Sequence, residues 1–284
     1  MSRTGDIAAP ARREGSAASK PRSLAPQGDV RSLSRGLNIL KAVANHGTPR
    51  GVTLGQLVEL TGLHKSTVHR LVGVLLRDRL LARDTETESY SLGIAVLELG
   101  GAYLDRLTPR RVAMPHLEQL MERTSETVHL GILDQHEVVY IEKIEAPTNV
   151  IVHTRIGHRE MVHCTALGKA MLAFLPDAEI DAVIRRGLTA RTSGTVTDPR
   201  KFRATLALVR KRGFAVNVEE SREHVNAVAA PVFDRLAHPV AAIVISGLKH
   251  RLPMPRLLEL GALLRSSADA ISAQLGHVAH RERA

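Results

Sequence analysis

The chain has 284 residues, 44% of them apolar and 24% charged, with four Phe, three Tyr, no Trp and a single cysteine, Cys164. That is enough apolar material for two packed domains built mainly from aliphatic side chains, and too few aromatics for the stacking platforms of a single-strand nucleic-acid binder. One cysteine excludes an internal disulfide framework or a cysteine zinc cluster, no apolar run approaches the ~18 residues that span a bilayer, and the N-terminus lacks the apolar middle of a secretion signal, so a cytoplasmic protein without a membrane partner is expected.

The formal net charge of +10 is unevenly placed: residues 31–83 hold nine Lys/Arg against two Asp/Glu, whereas residues 84–284 hold 25 against 24. A polyanion is the natural partner of such a block; the competing reading is a solvated basic face on an ordinary domain. Residues 1–30, rich in Ala, Pro, Ser, Gly and Arg and without periodicity, read as a disordered tail, and 278–284 as a second tail.

Leu33, Leu37, Leu40, Val43 and Ala44 stand at helical spacing and predict a helix over 33–46, ended by Gly47. A loop over 48–52 follows, and Thr53 is placed to cap a short helix whose apolar positions are Leu54, Leu57, Val58 and Leu60. Gly62-Leu63 breaks it, and a third helix from His64 to Asp78 carries Val68, Leu71, Val72 and Leu75 on one face. Two short helices joined by a Gly-containing turn form a helix-turn-helix. Its second helix offers Lys65, Ser66, Thr67, His69 and Arg70 near its start, the region that meets base edges in the major groove. A plain three-helix bundle with a polar face is the bland reading. Leu80–Arg83 and Tyr90–Leu92 flank the polar DTETES and predict a hairpin, the wing of a winged helix, with Arg83 at its base in reach of phosphate and an acidic tip that is not.

Residues 94–107 predict a linker helix ended by Thr108-Pro109. Its Gly100-Gly101 pair, which costs roughly 1 kcal/mol per Gly, fits a dimer contact or a kink. Beyond it the pattern predicts a helix over 110–124, strands over 127–134, 137–144 and 149–154, helices over 165–175, 177–186 and 198–212, strands over 214–219, 226–233 and 240–246, and a last helix over 254–276. That order describes an α+β domain with a largely antiparallel sheet.

The chain resembles the IclR-type transcriptional regulators over about residues 31–277. The resemblance rests on SLSRGLNIL, TLGQLVELTGLHKSTVHRLVGVLLRDRLL, HCTALGKAMLAFL, GFAVNVEESREHVNAVAAPVFD and the closing AAIVISG. It implies a winged helix-turn-helix domain over 31–93, in which Arg35 joins the DNA-facing residues, a linker helix over 94–109, and a GAF-like effector-binding domain over 110–277. It also implies homodimers or homotetramers on double-stranded operator DNA, acting as repressor or activator under a small pathway metabolite. The family's effector positions fall here on Ala166, Leu167, Asn217, Ala227, Val244 and Ser246. Members that bind small keto acids carry an acidic residue at position 217, a Cys at 227 and a Ser at 244. The less polar set here points to an aromatic or otherwise bulkier organic acid.

A helix opening at Thr165 could receive a carboxylate, aided by its hydroxyl and by Ser246 and Asn217; the plain reading makes Thr165 an N-cap and Ser246 a satisfied strand residue. Cys164 beside His163 does not make a nucleophilic pair, since sequence neighbours rarely point the same way and no orienting third group stands with them. His153, His158 and His163 recur at a spacing that suits neither helix nor strand, and no HExxH is present. No metal, no cofactor and no enzymatic activity are expected. The rival functions are an enzyme with a basic accessory domain, which would need a convergent catalytic constellation, and a non-specific architectural DNA binder, which would leave the near-neutral second domain without a task.

Overall fold

The computed structural model describes residues 30–47, 51–146 and 154–278. Both tails therefore fall outside the described residues, save Val30 and Val278, and so does the strand expected over 149–154, save Thr154. The chain divides into two compact units, Met1–Glu98 and Leu99–Ala284.

The first unit holds α1 (Arg31–His46), β1 (Val52–Thr53), α2 (Leu54–Thr61), α3 (Lys65–Arg77), β2 (Leu81–Asp84) and β3 (Ser89–Leu92). Its core gathers Ile39 and Val43 of α1, Leu57 of α2, and Val68, Val72 and Leu75 of α3, closed by Val52, Leu81 and Tyr90 from the strands. The buried stripe of α1 is Gly36, Ile39 and Val43. Leu33 and Leu37, which the helical spacing had assigned to the apolar face, are instead 61% and 47% exposed. Thr53 caps α2 in a full capping box: its hydroxyl accepts from the Gln56 N–H, and the Gln56 side chain accepts from the Thr53 N–H. Gly62 ends α2 at φ +65°, where a side chain would be strained, and so sets the tight turn into α3. The segment read as a loop up to residue 52 contributes β1, which pairs antiparallel with β3 and makes the wing a three-stranded sheet of order β1-β3-β2. Two residues are too few to show alternation in a sequence.

Next come α4 (Ile94–Asp105) and α5 (Thr108–Thr124). Thr108-Pro109 starts α5 rather than merely stopping the helix before it. Proline supplies the helical φ at a first-turn position whose N–H would have no partner anyway. The second unit is organised by a six-stranded antiparallel sheet of order β6-β5-β4-β9-β8-β7, from β4 (Thr127–Asp134), β5 (Glu137–Ile144), β6 (Arg159–Met161), β7 (Ala215–Val218), β8 (Val225–Phe233) and β9 (Pro239–Leu248). The edge strand β6 is an element the sequence pattern did not reveal.

Side chains alternate across the sheet. Val128, Leu130, Val228, Ala230, Ile243 and Ile245 pack on one face with α5 and α9 (Met254–Gln274). Ala215, Ala229, Ala242 and Val244 pack on the other with α6 (Ala166–Leu172) and α8 (Pro199–Arg212), and α7 (Asp177–Arg186) adds Ile180 and Val183 to that layer. The result is a mixed α+β unit with helices on both sides of an antiparallel sheet. All seven residues of α6 are buried. A side chain at Gly168 would collide with the Val162 backbone, so only glycine lets α6 lie this close to the segment that follows β6.

Candidate functional site

In the first unit, α3 turns Lys65, Ser66, His69 and Arg70 to solvent, holds Thr67 half-buried, and buries Val68, Val72 and Leu75 on the opposite face. His64 precedes the helix as its N-cap: its Nδ1 accepts from the Ser66 N–H and lies 2.8 Å from the Ser66 hydroxyl, so Ser66 shares in the cap as well as in the exposed face. That capping role was not seen in the sequence, because histidine is a rare cap. Arg35 is exposed on α1. Lys65, Arg70 and Arg35 have no carboxylate partner among the described residues. Arg83 does: its guanidinium pairs with Glu88 across the wing. Both partners are largely exposed, so the pair is weak and yields readily to a competing anion.

In the second unit, one cleft is walled by Thr165, Ala166 and Leu167 at the start of α6, Asn217 of β7, Ala227 of β8, and Val244 and Ser246 of β9. All seven residues named from the sequence as effector-facing thus line a single cleft, with about 500 Å³ between its walls, counting the part open to solvent. The sheet register explains this convergence: Asn217 pairs with Ala227, and Ala227 with Ser246, so three strands present the same face side by side. The cleft also takes Tyr140, Thr154, Glu160, Ser221 and Arg222, which the sequence reading missed.

The polar groups of the cleft are not equally available. The Thr165 hydroxyl accepts from the Gly168 N–H at 3.1 Å and donates to the Met161 carbonyl at 3.2 Å, which makes it a true N-cap. Asn217 donates its amide to the Cys164 carbonyl and accepts from the Glu220 N–H at 3.1 Å. These two side chains hold the framework. The Ser246 hydroxyl, by contrast, is buried without a hydrogen-bond partner among the described residues. Cys164 and His163 do not face each other as a pair. The thiol is pushed up to about 12, chiefly by burial, and His163 Nε2 lies 2.9 Å from the Thr189 carbonyl oxygen.

Comparison with known proteins decides between the readings. Residues 101–273 match the model of the bacterial transcriptional regulator IclR C-terminal domain, and residues 32–85 match the IclR helix-turn-helix domain. The chain belongs to the IclR family. It is 36% identical over 227 residues to the HTH-type transcriptional regulator KipR of Bacillus subtilis, covering 80% of this chain and 90% of that one. It is 34% identical over 251 residues to XynR of Escherichia coli, covering 88% and 99%. Among solved structures it is similar to the Thermotoga maritima IclR (31% identity, TM-score 0.74, covering 88% of this chain and 100% of that one). It is also similar to an IclR homolog from Microbacterium hydrocarbonoxydans complexed with 4-hydroxybenzoate (25%, TM-score 0.76, 86% and 98%). This IclR-family chain is a transcriptional regulator with a DNA-binding helix-turn-helix, and its relatives are regulators rather than enzymes. Among the described residues no helix is long and apolar enough to cross a membrane, and no cluster of three His, Cys, Asp or Glu is placed to hold a metal.

Behind the cleft lies a charge pair that the sequence reading passed over. Lys169, fully buried in the otherwise apolar α6, pairs with Glu220, which is 7% exposed and follows β7. Burial alone disfavours the ammonium, and its pKa is lowered for that reason, with Glu220 opposing the shift. The signal was present as a lone lysine inside TALGKAMLAFL. His129 of β4 is a second buried polar group on the cleft's side of the sheet. It pairs in register with Val244 and meets the Tyr140 ring edge-on at 5.3 Å. Both its ring nitrogens lack hydrogen-bond partners among the described residues, and burial drives its pKa down to about 3.

Two outcomes follow. Lys169→Met leaves the Glu220 carboxylate buried without its counter-charge and should cost about 3–5 kcal/mol in urea unfolding, whereas Lys169→Met combined with Glu220→Leu should recover much of that loss. If the double substitution is as destabilising as the two singles summed, the pair is not the unit we describe. For His129, the unfolded chain takes up a proton near pH 6.5 while the folded chain does not until about 3. Its contribution is therefore complete above pH 6.5 and is lost as pH falls through that window. Between pH 6.5 and 4.5 the His129→Leu variant should lose about 2–3 kcal/mol less stability than the parent chain; equal acid slopes would contradict the assignment.

Proposed function

We propose that this chain represses or activates transcription from an operator in double-stranded DNA, with α3 as the reading helix, and that a small organic acid bound in the sheet cleft changes operator occupancy. In this reading residues 31–93 bind DNA, 94–109 link, and 110–277 sense the effector. Lys65, Ser66, Thr67, His69 and Arg70 meet the major groove, and Arg35 and Arg83 meet phosphate. The observation that carries it is the division of α3 into an exposed polar face at Lys65, Ser66, His69 and Arg70 and a buried apolar one. A solvated bundle face would have no cause to concentrate unpaired cations at the start of the second helix of such a motif.

For the effector, Thr165, Ala166, Leu167, Asn217, Ala227, Val244 and Ser246 line a cleft whose small apolar walls also carry the polar side chains of Tyr140, Thr154, Glu160, Ser221 and Arg222. That is the chemistry of a site for a compact organic acid, and the 4-hydroxybenzoate complex of the Microbacterium homolog supports it. A ligand moves an equilibrium only by binding one arrangement better than another. The arrangements proposed here are those of a homodimer or homotetramer, with a second copy covering Leu97, Leu99 and Tyr103, which are 70%, 66% and 55% exposed on α4.

The test of the reading helix is Arg70→Ala in a gel-shift titration on DNA from the chain's own promoter region. Operator affinity should fall by the equivalent of ~1–3 kcal/mol per half-site while non-specific binding changes little. Unchanged operator affinity would remove α3 from that role.

A further inference from the structure

The cleft carries a charge pattern that a simple acid does not explain. Among its described lining residues there is one cation, Arg222, and one carboxylate, Glu160. A site built only for an anion would gain from the first and lose from the second. The two residues come from different places: Glu160 sits on the edge strand β6, and Arg222 in the turn between β7 and β8. Tyr140 stands near both. Its phenol, held above its usual range mainly by burial, is pushed further up by Glu160 and back down by Arg222.

The turn that carries Arg222 is braced from two sides. Inward, Glu220 is held by Lys169, and the Thr192 and Thr195 hydroxyls each donate at 2.6 Å to the carbonyls of Glu219 and Glu220 respectively. Outward, the Glu219 carboxylate accepts from the His224 N–H at 2.8 Å and from Lys249 at 3.2 Å. Ser221 and Arg222 lie between these two anchors and both line the cleft. Arg222 itself forms no ion pair among the described residues, so its five donors are available to a ligand. Glu160 interacts with His158 at 3.1 Å through one carboxylate oxygen, Oε1, and a carboxylate has further acceptor sites to offer.

We propose that Arg222 and Glu160 form a two-ended recognition pair, so that the cleft selects a carboxylic acid that also carries a hydrogen-bond donor, the carboxylate going to Arg222 and the donor to Glu160. The proposal rests on the organic-acid reading above and narrows it. A guanidinium and a carboxylate form a charge-assisted pair, about twice as strong as a neutral hydrogen bond. A ligand without the donor would leave the acceptor sites of Glu160 that His158 does not occupy desolvated and unmatched, which is how a site built for a hydroxyl rejects the analogue that lacks it. The donor has two sources, a hydroxyl or an amine, and the choice of probes separates them.

The test is a set of binding titrations on the full chain with matched probes: benzoate, 4-hydroxybenzoate, 4-aminobenzoate and phenol, together with butyrate, 4-hydroxybutyrate and 4-aminobutyrate. The parent chain should bind a donor-bearing acid of one series at least tenfold more tightly than its plain acid, and phenol more weakly than 4-hydroxybenzoate. The preferred member tells hydroxyl from amine. Arg222→Gln should abolish the preference for an acid over phenol, and Glu160→Leu the preference for a donor-bearing acid over a plain one, each without lowering the melting temperature of the unliganded protein. Equal binding of plain and donor-bearing acids, or preferences that survive both substitutions, overturns the pair while leaving the organic-acid reading intact. If no acid of either series binds, the organic-acid reading itself falls.

Discussion

The second unit depends on a buried ion pair placed where an apolar contact would have been easier to build. Lys169 is the one charged residue of a helix that is otherwise wholly apolar and wholly buried. Its partner Glu220 belongs to the turn after β7; Asn217 of that strand and Ser221 and Arg222 of the turn line the cleft. Taking two charges out of water costs several kcal/mol each and is recovered only by close pairing. The pair is therefore weak evidence for stability and stronger evidence for position. It fixes α6 against one turn and no other, and α6 brings Thr165, Ala166 and Leu167 to the same cleft. The glycine at 168 completes the arrangement by letting the helix backbone approach Val162.

The first unit solves a different problem with cheaper means. Its helices are set by local signals, the Thr53–Gln56 capping box and the left-handed Gly62, and by a core of nine side chains that includes one from the two-residue β1. Among its described residues nothing charged is buried. The cationic side chains stay in water, where they can exchange solvent and counterions for phosphate. Arg83 shows the same economy: its exposed pair with Glu88 holds the side chain in place without binding it strongly.

How much of this was legible in the sequence follows from the range of the signal. The bounds of α7, the cap at Thr53 and the turn at Gly62 are written within a few residues and stand where the pattern puts them; α8 begins one residue later than the pattern, after its cap Asp198. β1 and β6 span two and three residues, too short for alternation, and exist because a neighbouring strand offers hydrogen bonds. Leu33 and Leu37 obey the helical period yet lie outside, because the face of α1 that packs is centred on Ile39. In the cleft, Thr165 was readable as a helix start and the six other named positions through a family resemblance. Tyr140 was hidden by a bulge: Gly131 pairs with Tyr140 and Leu130 with Glu142, so Ile141 is unpaired and the strand switches faces at that point. Arg222 and Glu160 come from a turn and an edge strand 62 positions apart, and only the folded sheet brings them to one opening.

If α3 reads DNA and the cleft holds an acid, as proposed, the most direct measurement is one that sees both. Footprinting with the purified chain on the DNA flanking its gene should show a protected site with two-fold sequence symmetry. An acid that raises the protein's melting temperature should change that protection in proportion to its occupancy of the cleft. A protected site that stays the same under every acid that binds would contradict the account, since the cleft would then have no bearing on what α3 does.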